Sequence, residues 1–376
     1  MMQKKVFTLA LVAGLAAPLA AFADSANVNF YGVLDADAEQ VKTDKPVAPT
    51  ATTGASSRGR ITSNASRFGL KGSDDLGDGL QAIYQIESRV SLNNNDGGAG
   101  VFNGIRNTNL GLKGDFGTAF VGNWDTPFKA SHNKVELFDN SSIATATALL
   151  GNNQGANTFN LRQNSSVQYW SPVMSGLQVK GAYSFVNNVA ATSAAAPSLL
   201  SLSAAYDNGP IYVALANEQH KDYSITNTAA TTTAAATTAT ALVVGQKDSA
   251  TRLIGAYTVD AFQVGLTYET FTINNGAGVS NKRNAYALSG KYNLGASNLG
   301  ASYTKAGDMG ATVNSGAKQI SLRYGYTMSK RTELYAMYTQ ISNNAAGTYN
   351  FTDVAGVSSL AGAKLSGYGV GLRHTF

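Results

Sequence analysis

Apolar and polar residues alternate at every second position in one segment of the chain after another. In Leu177–Phe185 the odd positions hold Leu, Val, Gly, Tyr and Phe, whereas the even positions hold Gln, Lys, Ala and Ser. A strand with one apolar and one polar face produces this period of two, so the pattern predicts an all-β fold. About sixteen candidate strands follow it, at residues 27–37, 66–72, 80–89, 105–113, 118–124, 163–170, 177–185, 199–206, 211–218, 249–257, 262–269, 284–292, 298–305, 317–326, 332–340 and 365–376.

The lengths of these segments and of their connections indicate how the strands are arranged. Each candidate is close to the roughly 10 residues that a tilted strand needs to cross a bilayer. Short connections rich in turn formers, such as Asp74–Gly79 and Asp207–Pro210, alternate with long ones, of which the longest follows Trp124. This alternation is typical of an up-and-down barrel in the outer membrane. We therefore expect a 16-stranded antiparallel transmembrane β-barrel.

A soluble β-sandwich is the alternative that also has period-two strands. Its polar face meets bulk water and is rich in Lys and Glu, but only 14% of the residues here are charged. Aromatic residues lie near the ends of several apolar faces, for example Tyr183, Phe185, Tyr268 and Tyr368, as in the girdles of membrane barrels. A closed barrel also satisfies every backbone polar group in lipid. These features favour the barrel.

Composition excludes several other classes of protein. The 376 residues include no cysteine, which excludes a disulfide framework and a cysteine-ligated metal or redox site. We expect no cofactor and no metal. Beyond the N-terminus no uncharged apolar run reaches about 18 residues, so a helical membrane protein is excluded. The net charge of +5 without a basic run does not support nucleic acid as a partner.

An enzyme is also disfavoured by the sequence. The three histidines, His132, His220 and His374, have no convincing Ser or Asp partner pattern for nucleophilic catalysis. We interpret His132 and His220 as residues of the surface or of long loops.

The stretch Thr226–Ala241 is almost entirely Thr and Ala, and between two clear strands it predicts a long, mobile external loop rather than a helix or strand.

The N-terminus has the pattern of an export signal. Lys4 and Lys5 precede an apolar stretch, and Ala21-Phe22-Ala23 matches a small-x-small cleavage site. A single membrane anchor is the alternative, but it needs about 20 apolar residues. We expect residues 1–23 to form a cleavable signal peptide and residues 24–376 to form the barrel domain.

Six segments in order along the chain resemble the general diffusion porins of Gram-negative bacteria, of the β-proteobacterial type. No single segment is specific, but their order across the whole expected barrel domain is. They are Asn29–Asp35, Ser66–Leu80, Leu110–Gly117, Asn164–Pro172, Ser329–Thr332 and Gly371–Phe376.

This resemblance implies a sixteen-stranded barrel whose third external loop folds inward to form a constriction. It implies a homotrimer that is surrounded by outer-membrane lipid and lipopolysaccharide. It also implies that Phe376 is the signal read by the barrel assembly machinery. The chain departs from some relatives at Val33, where they have a lysine, and lacks the Pro-Glu-Phe-Gly-Gly motif of enterobacterial members in the loop.

The candidate site for solute passage combines acids of the long loop with arginines of the barrel wall. The connection from Asp125 to about Arg162 contains the carboxylates Asp125, Glu136 and Asp139. The resemblance places a basic cluster opposite them, at Arg67, Arg106 and Arg162, with Arg58, Arg60 and Arg89 as reserves.

The alternation of side chains along each strand predicts whether the three arginines face the lumen. With Phe68 facing lipid, Arg67 faces the lumen, and Arg162 shares the lumen parity of Gln168. Arg106 has the parity of the lipid-facing leucines, so it requires a bulge or a position above the membrane belt.

Acids that face bases across a narrow, poorly screened gap produce a transverse field that favours polar solutes. We expect an outer-membrane porin for passive diffusion of ions and small hydrophilic solutes, with mild anion preference. The alternative is a channel selective for sugars or organic acids, which needs aromatic ladders in the loop; this loop has Phe128, Phe138 and Phe159.

Overall fold

The computed structural model describes residues 27–45, 56–92, 100–138, 142–154, 156–185, 195–228, 237–274, 280–351, 357 and 360–376. The expected signal peptide at residues 1–23 lies outside the described residues. The barrel strands are β1 (Asn27–Thr43), β2 (Ser57–Ser63 and Arg67–Gly77), β3 (Leu80–Val90), β4 (Phe102–Ile105 and Thr108–Gly114), β5 (Gly117–Asp125), β6 (Arg162–Trp170), β7 (Leu177–Phe185), β8 (Ser198–Asn208), β9 (Ile211–Thr228), β10 (Thr237–Val259), β11 (Phe262–Asn274), β12 (Ser280–Leu294), β13 (Ser297–Ala306), β14 (Ala317–Ser329), β15 (Thr332–Asn343) and β16 (Lys364–Thr375).

These strands form one closed antiparallel barrel of 16 strands in which each strand pairs with its neighbours in sequence. β16 closes the barrel on β1, for example where Ala36 pairs with Leu372. Phe376 continues this contact, because its backbone N–H donates to the Gly32 carbonyl at 3.1 Å. The expected fold class and strand number are confirmed, and each candidate strand coincides with one observed strand.

Side chains alternate between an exposed outer face and a buried inner face. On β11, Leu266 and Tyr268 are 55% and 46% exposed, whereas Thr267 and Glu269 are 1% and 0% exposed. Large exposed apolar residues on one face of every strand are unusual in water but fit a surface that lipid covers. The outer face is therefore the lipid face, as the parity of the sequence predicts.

The expectation of a loop over the Thr/Ala-rich stretch is wrong at both of its ends. β9 runs to Thr228 and β10 begins at Thr237, and these two residues pair with each other. Thr is β-branched and suits extended backbone, so the hairpin ladder continues into the stretch. Residues 229–236 between the two strands are outside the described residues.

The longest connection, residues 126–161, contains short regular elements of its own. Helix α1 (Pro127–Ser131) begins after Thr126, whose side chain accepts a hydrogen bond from the Lys129 backbone N–H, and Pro127 occupies the first turn. A 3-10 turn (Ala146–Ala148) and a two-residue hairpin, Asn152–Asn153 with Ala156–Asn157, follow.

This 126–161 segment packs against the inner face of the strands over much of the barrel. The Phe128 backbone N–H donates to Ser201 Oγ of β8 at 3.0 Å. Far along the wall, Ser142 Oγ lies 3.4 Å from Met337 Sδ of β15. Buried apolar side chains of the segment, among them Phe138, join those of the strands in the largest hydrophobic cluster. The core of the molecule thus lies between the segment and the barrel wall.

The assignment of the outer face to lipid can be tested with a charged substitution on that face. Leu322 of β14 is 49% exposed on the outer face, so we expect Leu322→Arg to lower the free energy of unfolding in lipid vesicles by about 2–4 kcal/mol. Leu322→Phe, which keeps the face apolar, is the matched control and should have a small effect. Equal denaturation midpoints for the Arg variant and the native protein would contradict the assignment of this face to lipid.

Candidate functional site

Three arginines from three different strands line one cavity of the barrel interior. Arg67 begins the second part of β2, Arg106 lies at the break in β4, and Arg162 begins β6. Together with Asp125 and Glu136 they line a cavity of about 800 Å³, here called the arginine cavity. The structure thus brings these five residues, all suggested by the sequence, to one place.

Arg106 reaches the cavity because β4 is irregular at that point. Ile105 pairs with Ser88, and Leu110 pairs with Tyr84. Ile105 and Leu110 are five residues apart on β4, but their partners Ser88 and Tyr84 are four residues apart on β3. β4 therefore contains one extra residue between these two pairs. Ile105 and Leu110 both stay exposed on the outer face. This irregularity is a bulge, which is one of the two alternatives that the parity of Arg106 left open.

Glu87 holds two of the arginines together and is a site residue that sequence reasoning missed. Its Oε1 accepts a hydrogen bond from Arg106 Nε at 2.8 Å, and its Oε2 lies 3.6 Å from Arg67 Nε. Tyr31 also donates its hydroxyl hydrogen to this carboxylate at 3.1 Å. Since Arg67 pairs with Arg89 across the strands, Glu87 is the diagonal neighbour of Arg67. Only the register, which the sequence did not provide, identifies this contact.

Asp125 connects the barrel wall to the 126–161 segment. Its Oδ1 lies 3.0 Å from Arg162 Nη2 and 2.8 Å from Lys129 Nζ of helix α1. Burial lowers the pKa of the Lys129 ammonium, and the nearby Asp125 carboxylate opposes that shift. Asp125 therefore positions one cation of the wall and one cation of the segment on the same cavity.

Glu136 lines the cavity, but its carboxylate binds mainly within its own segment. Its Oε2 accepts hydrogen bonds from Thr145 Oγ1 at 2.9 Å and from the Ala146 backbone N–H at 3.2 Å. Its Oε1 accepts one from the Phe138 backbone N–H at 3.0 Å. The third acid suggested by the sequence, Asp139, lies outside the described residues.

Basic side chains outnumber acidic ones around the arginine cavity. Arg89, a reserve in the sequence reasoning, lines it, whereas Arg60 instead pairs with Glu39 at 2.7 Å. Within the described part of the chain its charged lining comprises six basic side chains, Arg67, Arg89, Arg106, Lys129, Arg162 and Arg373, and three acidic ones, Glu87, Asp125 and Glu136.

A second, fully buried charge cluster fastens the 126–161 segment to the wall. Glu269 of β11 accepts hydrogen bonds from Arg252 Nε at 3.0 Å and from Arg283 Nη2 at 2.8 Å. The segment adds its backbone, because the Gly151 N–H donates to Glu269 Oε1 at 2.7 Å and Arg283 Nη1 donates to the Leu149 carbonyl at 2.7 Å. A buried charge is costly unless it is paired and hydrogen-bonded. The segment therefore completes the partners of this cluster.

Aromatic rings surround the same cluster. The Arg252 guanidinium lies 4.2 Å from the centroid of the Phe128 ring, and that of Arg283 lies 4.1 Å from the Phe271 ring. Cation–π contacts of desolvated guanidinium groups contribute up to about 2 kcal/mol each. Sequence reasoning missed these arginines, although their position on the inner face follows from strand parity.

The histidines show one further difference from the sequence expectation. His220 lies on β9, not on the surface or in a loop, because the strand continues beyond the expected end at residue 218. It is 1% exposed, and its Nε2 lies 3.1 Å from Glu218 Oε1 while its ring stacks on Phe159. His132 follows helix α1 and is buried as well.

The model of the Gram-negative porin family matches residues 8–346 of this chain. The chain belongs to this family. The porin is similar to outer membrane porin protein 32 of Delftia acidovorans, with 28% identity over 381 residues and 100% of both chains covered. It is also similar to an outer membrane porin protein of Bordetella pertussis, with 29% identity over 420 residues and 100% of both chains covered.

Solved structures agree with this assignment. The anion-selective porin from Comamonas acidovorans has a TM-score of 0.75 and 25% identity, covering 94% of this porin and 100% of that chain. In-vitro folded OmpT of Vibrio cholerae has a TM-score of 0.68 and 19% identity, covering 95% and 100%, and shows the same fold.

The porin is a transmembrane β-barrel of the cell outer membrane and a channel for diffusion of ions and small hydrophilic solutes. Its family consists of channel proteins rather than enzymes. Among the described residues, no helix has both the length and the apolar character that crossing a membrane requires.

The buried cluster predicts how the segment is held. Glu269→Gln removes the charge between two buried arginines, so we expect a loss of about 3–5 kcal/mol in unfolding free energy and faster proteolysis of residues 142–160. Asp207→Asn is the matched control, because both side chains of the Lys134–Asp207 pair, which lie 2.7 Å apart, are nearly half exposed and surface pairs contribute about 1 kcal/mol or less. Similar losses in the two variants would argue against the special role of Glu269.

Proposed function

We propose that the 126–161 segment is the inward-folded third external loop and that the arginine cavity is the constriction of the channel. The observation that carries this proposal is that Glu136 and Lys129 of the segment line one cavity together with Asp125 and the arginines of the wall. A barrel of 16 strands leaves a water-filled lumen. A segment fastened to the inner wall narrows that lumen, and solutes pass where it is narrowest.

The charges around the constriction favour small anions. Arg67, Arg106 and Arg162 act as the basic side of a transverse field, and Glu136 acts on the side of the segment. Asp125 ends β5 and pairs with Arg162 at the wall. The excess of basic side chains makes the local potential positive, and a narrow, poorly screened gap concentrates counter-ions of the opposite sign. The similar Comamonas acidovorans porin is described as anion-selective, which supports the same preference here.

Selectivity is measured as the reversal potential of single channels in a salt gradient. We expect anion preference in the native porin, a decrease for Arg67→Gln, and an increase for Glu87→Gln. Each shift in permeability ratio should be about twofold, because one charge roughly 8 Å from the ion path contributes about 0.5 kcal/mol in water. Cation preference in the native porin, or shifts of the same sign in both variants, would overturn the proposal.

The aromatic residues of the segment favour a general diffusion channel over a sugar-selective channel, which needs an aromatic ladder. Phe128, Phe138 and Phe159 are all buried within hydrophobic clusters. Of the three, Phe138 alone lines the arginine cavity, and it is 2% exposed. A single, nearly buried ring does not form an aromatic ladder, which argues against the sugar-selective alternative.

We propose that the porin forms a homotrimer, which is surrounded by outer-membrane lipid and has lipopolysaccharide at its outer surface. One similar structure, OmpT of Vibrio cholerae, is described as a trimer form. Phe30 and Phe68 stack on the lipid face with ring centroids 6.2 Å apart and offer an apolar surface to lipid or a neighbouring copy. Phe376, exposed beside β1, is proposed as the contact for the barrel assembly machinery.

Export is proposed to remove residues 1–23 as a signal peptide. N-terminal sequencing of the protein isolated from outer membranes should give Asp24 as the first residue, because Ala21-Phe22-Ala23 fits signal peptidase. An Ala23→Arg variant should accumulate uncleaved. A mature protein that retains Met1 would disprove the signal assignment.

A further inference from the structure

A second cavity lies on the other side of helix α1 from the arginine cavity. It measures about 330 Å³ and is here called the Lys180 cavity. Lys129 of the helix lines the arginine cavity, whereas Ala130 and Ser131 line the Lys180 cavity. The two cavities share no lining residue. The remaining lining residues used below are Lys180, Gln178, Ser203, Asp207 and Tyr212.

Lys180 is half-buried and unpaired in the part of the chain that the structure describes. No carboxylate of those residues lies within ion-pair distance of its ammonium. Asp207 lines the same cavity but is paired with Lys134, whose Nζ lies 2.7 Å from its Oδ2. A partly desolvated cation without a partner is unfavourable, so a small anion in the cavity gains from binding it.

The ring of Trp170 holds the Lys180 ammonium in place. Lys180 Nζ lies 4.5 Å from the centroid of that ring, and the two residues pair across β6 and β7. Trp170 is itself fixed by edge contacts with Phe120 and Trp124, at centroid distances of 5.1 and 5.9 Å. Because the cation is already oriented, an anion loses little free energy in ordering the site.

We propose that the Lys180 cavity is a binding subsite for a small carboxylate attached to a compact apolar or aromatic group. The carboxylate pairs with Lys180 Nζ and accepts hydrogen bonds from the Ser203 hydroxyl and from the second N–H of Gln178 Nε2, whose first N–H donates to the Ser171 carbonyl at 3.1 Å. The apolar group packs against Ala130 and Tyr212. A volume of about 330 Å³ suits one small solute.

The subsite lies on the periplasmic side of the constriction. Trp170 ends β6 beside a short turn, which faces the periplasm in such barrels. Arg162 begins the same strand eight residues earlier, roughly 26 Å away at about 3.3 Å per residue. An anion that has passed the arginines therefore meets a second cation. The inference rests on the proposed channel and gives it a preferred class of solute.

Tryptophan fluorescence reports on this subsite directly. The chain has 2 tryptophans, Trp124 and Trp170, and both belong to the cluster beneath Lys180. We would titrate the purified full-length porin in detergent with sodium benzoate at constant ionic strength. The expected result is a saturable change in emission. Acetate has the carboxylate but no ring, and benzyl alcohol has the ring but no carboxylate. Each should therefore bind at least about tenfold more weakly than benzoate.

Substitutions at the cavity separate binding from folding. Lys180→Met should weaken benzoate binding by about tenfold or more, whereas Lys180→Arg should keep it. Lys113→Met removes an exposed lysine near the same hairpins and should bind as the native porin does. Ala130→Phe keeps Lys180 but fills the cavity, so it should abolish saturation even if Lys180→Met does not fold.

The proposal is overturned if the native porin shows no saturable benzoate response, or if Ala130→Phe or a folded Lys180→Met variant binds benzoate as the native porin does. Channel formation in planar bilayers is measured on the same preparations. A porin that binds benzoate but forms no channels would contradict the proposed function alone. Open channels without benzoate binding would contradict the subsite alone.

Discussion

The buried ion cluster of Glu269 with Arg252 and Arg283 is the constraint on which the interior of this porin depends. Three adjacent strands supply its charges, and the 126–161 segment supplies backbone groups that complete its hydrogen bonds. Without the segment, the buried charges would lack partners. Without the cluster, the segment would lose the hydrogen bonds that Gly151 and Leu149 make to the wall. The two therefore fix each other.

Attachment of the segment to the wall also sets the positions of the charged side chains around the arginine cavity. Asp125 and Lys129 lie at its start, beside Arg162 of the wall, while Glu87 joins Arg67 and Arg106. Asp125 and Glu87 each pair with at least one cation, so salt bridges orient Arg67, Arg106 and Arg162. These paired charges lie inside the barrel, whereas large apolar side chains cover its outer face.

Strand parity was sufficient to predict much of this structure. It predicted the strand number, the lipid face and the inward position of Arg67. For Arg106 it allowed a bulge or a position above the membrane belt, and the structure has the bulge. It did not predict Glu87 or Glu269, because their partners lie on other strands or in the segment, and only register and long-range packing determine those pairs. The Thr/Ala-rich stretch and His220 were misplaced because a strand with little apolar alternation gives no signal where it continues past the expected end.

Helix α1 contributes Lys129 to the arginine cavity and Ala130 and Ser131 to the Lys180 cavity. In the proposed channel, the segment therefore determines both the width of the path and the order in which an anion meets cations. The most direct test is single-channel conductance in a planar bilayer, comparing the native porin with a variant in which residues 142–160 are replaced by a short Gly-Ser linker. We expect discrete open channels for the native porin and a higher conductance for the variant, because removing these residues widens the lumen. A native protein without channels, or equal conductance in the two, would contradict this expectation.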